Sequence, residues 1–265
     1  MTNIEKIAVE EVNCPLCISK ENAVLTAGKD YEYHTCSNVF TMVKCSKCKN
    51  IFLNPRPKIE EIKKLYPPDY YIYSRNNNKF SIARIAKNVI ENRQIKLYLK
   101  FLDDQDRILE IGSGNGTLLS KLKSKRKNVK LEGIDLNLQG NILARRTGAT
   151  IHDGLFEEVK FPENSYDLII MNQVLEHISE PALVLKKIRL ILKQNKFLVI
   201  ETPCLYSWDY QLFKNSFWGG YHFPRHFNLF SRTTLRQLLE KNNFKIIKEE
   251  SLLNPPFWIL SIHNF

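Results

Sequence analysis

The sequence contains no long apolar run. Its most hydrophobic stretches, Phe197 to Ile200 and Tyr166 to Met171, fall far short of the roughly 20 residues a helix needs to cross a bilayer. There is no basic leader followed by an apolar stretch and a small-residue cleavage site, so a cytoplasmic protein is expected. No internal repeat is found. Acidic residues are in the minority, 28 Asp and Glu against 39 Lys and Arg, which leaves a formal net charge of +11. That balance favours anionic partners: phosphorylated small molecules, nucleic acid or a membrane surface. Apolar residues, by contrast, make up 43% of the 265 positions. This is enough for one substantial core with a small appendage and too much for a disordered chain.

Cysteine is rare outside one pattern. Of six, four form Cys14-x2-Cys17 and Cys45-x2-Cys48. Each CxxC turn offers two thiolates to one ion, and four thiolates are the ligand set of a closed, tetrahedral structural zinc site. The first fifty residues hold few large aliphatics, so metal is expected to supply folding energy there. A hairpin whose second strand covers Val39 to Lys44 lies between the pairs, giving a zinc-ribbon-like module over 1–57. Disulfides are a poor alternative in a reducing compartment. His34 and Cys36 are spare ligand candidates that complete no paired turn, and Cys204 reads as a lone thiol.

The segment 58–102 reads as a helical, tyrosine-rich linker. Ile59, Ile62 and Leu65 mark a short helix that Pro67 and Pro68 stop. Tyr70, Tyr71 and Tyr73 follow, then an exposed RNNN loop, then a long amphipathic helix marked by Ile82, Ile85, Val89, Ile95 and Leu99. The main domain is expected over 103–265. Strands are expected at Arg107 to Ile111, Val129 to Ile134, about Thr150, Tyr166 to Met171 and Phe197 to Glu201, with a helix from about Pro181 to Leu192. Such alternation predicts an α/β fold with a largely parallel sheet covered on both faces. After an aromatic-rich insertion at 204–230, a helix over Thr233 to Lys241 capped by Ser231, a strand over Phe244 to Glu249 and a last strand in FWILSIHNF are expected.

The most informative stretch is ILEIGSGNGTLLSKL, from Ile108. A strand runs into Glu110, then Gly112, Ser113, Gly114 and Gly116, then a helix. Glycine permits the tight turn and the close approach of backbone to a ligand. Alone, this loop serves nicotinamide or flavin cofactors as well. Glu110 distinguishes it, because a carboxylate beside the loop receives a cationic amino group and resists a pyrophosphate. The second strand ends in GIDLN, so Asp135 can accept both hydroxyls of a ribose. Asp153, followed by Gly154 and Leu155, can accept a hydrogen from an adenine amino group. Leu136 and Leu155 are either core residues or the two faces of an adenine sandwich, and Asn172 and Gln173 follow the fourth strand.

These motifs, with FPENSYDLIIMNQVLEHISEP and KFLVIETP downstream, resemble the class I S-adenosylmethionine-dependent methyltransferases over roughly residues 90–250. The resemblance implies a Rossmann-like sheet of seven strands, the last antiparallel. It implies that Glu110 to Gly116 hold the methionine portion, Asp135 the ribose, and Asp153, Gly154 and Leu155 the adenine. The layout of an N-terminal CxxC module, IFLNPRP and KKLYPPDYY before the core is similar to that of bacterial sugar and surface-glycan methyltransferases.

Methyl transfer from a sulfonium is an in-line displacement, and an alcohol acceptor must also lose a proton. Histidine suits that task near neutral pH. His226 is expected as the base ahead of His177 and His222, with Arg225 holding an anionic handle of the acceptor through its planar fork. The surrounding Trp208, Tyr210, Trp218, Tyr221, Phe223 and Phe227 read as either the roof of an acceptor pocket or a satellite core. The expected reaction is O-methylation of a phosphorylated or nucleotide-linked sugar or capsule precursor by a monomer or homodimer. Sugar C-methyltransferases carry a further C-terminal domain beyond the point where Phe265 falls, which favours oxygen over carbon. An RNA methyltransferase gripping RNA through KLKSKRKNVK, Lys121 to Lys130, is disfavoured, since neither an NPPY-type motif nor a catalytic cysteine is found. A zinc-binding interaction scaffold is opposed by the intact acidic positions.

Overall fold

The computed structural model describes residues 4–66, 82–215, 217–251 and 261. The chain divides into two compact units, one made of Met1–Tyr70, Leu175–Ala182 and Thr202–Phe265, the other of Tyr71–Val174 and Leu183–Glu201. The expected proline stop at Pro67 and Pro68, the tyrosines from Tyr70 to Tyr73, the RNNN loop and, apart from Ser261, the FWILSIHNF strand lie outside the described residues.

The first unit begins with β1 (Val9–Glu10), β2 (Asn22–Gly28), β3 (Phe40–Cys45), β4 (Ile51–Leu53) and β5 (Arg56–Pro57). β1 pairs antiparallel with β5, and β2, β3 and β4 form an antiparallel meander. β3 alternates Phe40, Met42 and Lys44 with Thr41, Val43 and Cys45. Its two faces feed separate cores, Phe40 and Met42 one and Val43 and Cys45 the other. The helix expected over Ile59 to Leu65 is a 3-10 helix.

The second unit contains α1 (Ile82–Tyr98), β6 (Arg107–Ile111), α2 (Thr117–Lys125), β7 (Lys130–Asp135), α3 (Leu138–Arg145), β8 (Thr150–Asp153), β9 (Tyr166–Asn172) and β10 (Leu192–Glu201). α4 (Pro181–Ile191) leads into β10, and its Leu183–Ile191 part belongs to this unit. The strands pair in parallel in the order β10-β9-β6-β7-β8. β9 reads YDLIIMN with six of seven residues buried, the continuous apolar run of a strand covered on both faces. Leu119 and Leu122 of α2 pack with Ile108 of β6, Leu131 of β7 and Leu168 and Ile170 of β9 in one core.

The remaining elements, α5 (Trp208–Phe213), β11 (Asn228–Leu229) and α6 (Arg232–Lys241), return to the first unit. β11 extends the meander by pairing with β4. Ser231 caps α6 as expected, within a capping box completed by Thr234.

The described residues form five parallel strands of the expected seven, and the expected last strand lies outside them apart from Ser261. The expectation of a strand over Phe244 to Glu249 is corrected: none forms there, because no neighbouring backbone pairs with it among the described residues. The insertion 204–230 also does not divide with 103–201. Its Leu205, Tyr210, Trp218, Tyr221, Phe223 and Phe227 share one core with Phe40, Met42, Ile51 and Leu53 of the N-terminal strands. The aromatic density is therefore that of a satellite core. No helix among the described residues is long and apolar enough to cross a membrane.

Candidate active site

The chain enters the parallel sheet at β6, moves outward through β7 and β8, then crosses back to β9 and β10. β6 and β9 thus flank a topological switch point, and open α/β sheets bind ligands at the carboxyl ends of the strands there. Glu110, the fourth residue of β6, is 5% exposed, and its Oε2 makes no hydrogen bond among the described residues. Burial first, and then the neighbouring Asp135, push its carboxyl well above the usual carboxylate range. A buried carboxylate with an open oxygen is a receptor for a cation.

The glycine loop is built against β7. Gly112 and Ser113 donate to Ile134 O at 2.8 and 3.1 Å, and Gly114 N donates to Asp135 Oδ2 at 2.8 Å. Asp135 Oδ1 accepts from Asn137 N at 2.8 Å, so this carboxylate fixes the loop. Gly116 has φ +74, and a Cβ there would lie 2.7 Å from Ala144 Cα. Gly116→Ala should therefore cost about 1–3 kcal/mol and displace the loop, read as a lower melting temperature together with lost cofactor binding by calorimetry.

Asp153 pairs in register with Asp135 at the strand ends. It accepts from Asn141 Nδ2 at 2.6 Å and Arg145 Nη2 at 2.8 Å, and the Arg145 hydrogen bond holds its carboxyl below the usual value. Gly154 N donates to Asp135 O at 3.1 Å. Leu136, next to Asp135, is exposed, whereas Leu155 and Asn172 are half-buried and Ser113 is buried. The sequence reading missed Glu201 at the end of β10. Gln94 of α1 donates to its Oε2 and Gln173 to its Oε1, the latter at 3.3 Å. KFLVIETP carried that signal, as an acidic residue ending a buried-type strand.

In the first unit, Cys14, Cys17, Cys45 and Cys48 bring four sulfurs within 4.8 Å of one another. Cys14 and Cys48 are 3.5 Å apart, as are Cys17 and Cys45. Zinc–sulfur bonds in a tetrahedron require sulfurs about 3.8 Å apart, so the spacing fits a tetrahedral thiolate site. Burial alone would raise the Cys45 thiol, but hydrogen bonds led by Cys48 N–H bring it down to about 7. His34 and Cys36 do not join the cluster. Cys36 packs in the aromatic core instead.

The expected roles of the downstream residues change with their surroundings. Arg225 is 1% exposed and forks onto Asp30, with Nη1 to Oδ1 at 2.9 Å and Nη2 to Oδ2 at 3.0 Å. Its Nε donates to Leu65 O at 2.7 Å, and Tyr33 stacks at 4.4 Å. The reading of Arg225 as the holder of an acceptor anion is corrected, since its planar fork is spent on a buried carboxylate. Burial would raise the Asp30 carboxyl, but Arg225 and Thr35 bring it down to about 2. His226 is 3% exposed and its Nδ1 donates to Gly220 O at 2.8 Å. His177 Nδ1 lies 3.0 Å from Arg225 O and 3.1 Å from Tyr66 Oη. His222 Nδ1 lies 2.8 Å from Glu32 Oε2. Burial drives the His177 imidazolium down to about 3, and lowers that of His226 as well. The three rings stack edge-on within 6.0 Å, centroid to centroid.

A methyltransferase-domain family matches residues 82–249. The structure resembles a SAM-dependent methyltransferase of Thermotoga maritima at TM-score 0.51 and 21% identity, covering 67% of this chain and 82% of that one. A stretch of 44 residues is 48% identical to a carboxy-S-adenosyl-L-methionine synthase of Nautilia profundicola, spanning 17% of this chain and only 19% of that protein's length. A parallel α/β sheet with this family match defines a methyltransferase-domain protein. The chain belongs to the methyltransferase-domain family.

Proposed function

We propose that the protein transfers a methyl group from S-adenosylmethionine to a hydroxyl of a small anionic acceptor, a phosphorylated or nucleotide-linked sugar or a surface-polysaccharide precursor. The observation that carries the cofactor reading is the open, buried oxygen of Glu110 beside the glycine loop, which suits the ammonium of the methionine portion. Asp135 takes the ribose hydroxyls, Asp153 with Gly154 and Leu155 the adenine edge, and Leu136 a face of the ring. Ser113 and Asn172 line the methionine end. Of the three candidate imidazoles, His222, whose Nδ1 lies 2.8 Å from Glu32 Oε2, takes the acceptor's proton, since His226 is held through Nδ1 by Gly220 O and its Nε2 faces Glu176. The four cysteines hold a structural zinc. The acceptor class is supported by the net charge of +11 and by the module order shared with sugar methyltransferases, and methylation at carbon or of RNA remains as the alternative outcome of the test.

Two measurements check this. Glu110→Gln removes a charge-assisted hydrogen bond worth about 1.5–3 kcal/mol, so calorimetry should show S-adenosylmethionine binding weakened about 10- to 100-fold. Unchanged affinity would remove Glu110 from the site. A screen of nucleotide sugars, capsule precursors and bulk RNA, read by release of S-adenosylhomocysteine, should give turnover with a sugar. Turnover with RNA alone would overturn the acceptor.

A further inference from the structure

Glu176, His177 and His226 bring a carboxylate oxygen and two imidazole nitrogens within 4.8 Å of one another. Glu176 and His177 sit on the short 3-10 turn Leu175–His177, and His226 lies just before β11. Each is held from behind. Thr202 Oγ1 donates to Glu176 Oε2 at 2.9 Å, His226 Nδ1 donates to Gly220 O at 2.8 Å, and His177 Nδ1 donates to Arg225 O at 3.0 Å. A carbonyl can only accept, so both imidazoles carry a proton on Nδ1 and a lone pair on Nε2.

His226 Nε2 is 3.9 Å from Glu176 Oε1, with the two side chains 3% and 0% exposed. A carboxylate oxygen and an imidazole lone pair at this separation are the kind of donors that a divalent cation between them would coordinate. Histidines that bind metal give their second nitrogen to a carbonyl or carboxylate in this manner, and their carboxylate partners are hydrogen-bonded in turn. Metal bonds of about 2.0–2.2 Å set neighbouring ligand atoms roughly 3.4 Å apart, so the 3.9 Å separation closes with a shift of about half an ångström. His222 stands beside the group, its ring 5.0 Å from that of His226, with a backbone φ of +40. A left-handed conformation at a non-glycine residue persists where the surroundings dictate it.

We propose that Glu176, His177 and His226 form a binding site for a divalent first-row transition-metal ion, distinct from the four cysteines. Two imidazoles and one carboxylate leave coordination positions open to water or to a hydroxyl ligand, whereas four thiolates close their site. The assignment rests on these side chains and is independent of which molecule accepts the methyl group.

Cobalt(II) separates the two donor sets, because thiolates give an intense near-ultraviolet charge-transfer band and imidazole with carboxylate gives only weak visible bands. The full-length chain with its cysteine site filled by zinc is titrated with cobalt(II), without S-adenosylmethionine. The expected result is saturable growth of the weak visible bands with no thiolate band. Glu176→Gln and His226→Gln should abolish it. Thr202→Val, which keeps all three ligands, should weaken it about 10- to 100-fold. The site is overturned if the wild type shows no saturable visible bands, if cobalt enters only with a thiolate band, or if Thr202→Val binds as tightly as wild type. Because the readout is spectroscopic, a failed acceptor screen leaves this result standing, and the converse also holds.

Discussion

Stripping metal from the four cysteines with a strong chelator is expected to unfold the N-terminal strands, and Cys45→Ser to do the same without chelator. The core beneath the cysteines consists of Val43 and Phe52 beside Cys14 and Cys45, with Val12 and Leu16 partly buried against them. The two buried side chains contribute about 3–6 kcal/mol together, at about 1.5–3 kcal/mol each when fully buried, and the two partly buried ones add less. Metal binding to comparable thiolate peptides supplies about 10–16 kcal/mol, as much as the whole stability of an ordinary domain, about 5–15 kcal/mol. The turns depend on the same centre: Cys45 N donates to Asn50 O at 2.8 Å and Ile18 N to Cys14 O at 2.8 Å. Because β3 ends at Cys45 and pairs with both β2 and β4, loosening that end loosens the meander. Limited proteolysis after confirmed metal loss should cut between Cys14 and Cys48 at least tenfold faster. Resistance equal to that of the untreated protein would show that the cysteines form a packed thiol cluster and need no ion.

The parts of the molecule that were legible in the sequence are those where one segment carries its own signal. β6, β9 and the glycine loop are continuous apolar runs joined to residues with special backbone needs, and their ends fall within a residue of where the pattern puts them. The CxxC pairs declare their partners by spacing. What the sequence did not disclose depends on contacts between distant segments. Nothing in HFPRHF announces that Arg225 will meet Asp30, which lies 195 residues away, or that Asn228 will extend a sheet begun at Asn22. An arginine between two histidines has the same composition whether it faces solvent, a phosphate or a buried carboxylate. Glu201 was hidden for a similar reason, since its partners Gln94 and Gln173 come from two other elements.

Asp30→Ala is expected to be the most damaging substitution away from the cysteines. Both side chains of the Arg225–Asp30 pair are 0% exposed. Asp30 also accepts from Tyr33 N, Thr35 N and Thr35 Oγ1, at 3.1, 2.8 and 2.6 Å. Truncation would strand a guanidinium in a water-poor core and orphan the donors of that turn at once. Removing one partner of a buried pair costs about 3–5 kcal/mol, which for a marginally stable protein is most of what holds it folded. A double-mutant cycle distinguishes this cause from simple cavity formation. If the cost lies in the uncompensated charge, Asp30→Leu combined with Arg225→Met should be more stable than Asp30→Leu alone, because the second change removes the stranded cation and keeps much of its apolar stem. If the cost were packing alone, the two losses would add. Urea midpoints for the four proteins decide between these outcomes. A double variant less stable than either single one would show that the stem of Arg225, lying over Tyr33, contributes more than the pair's charges.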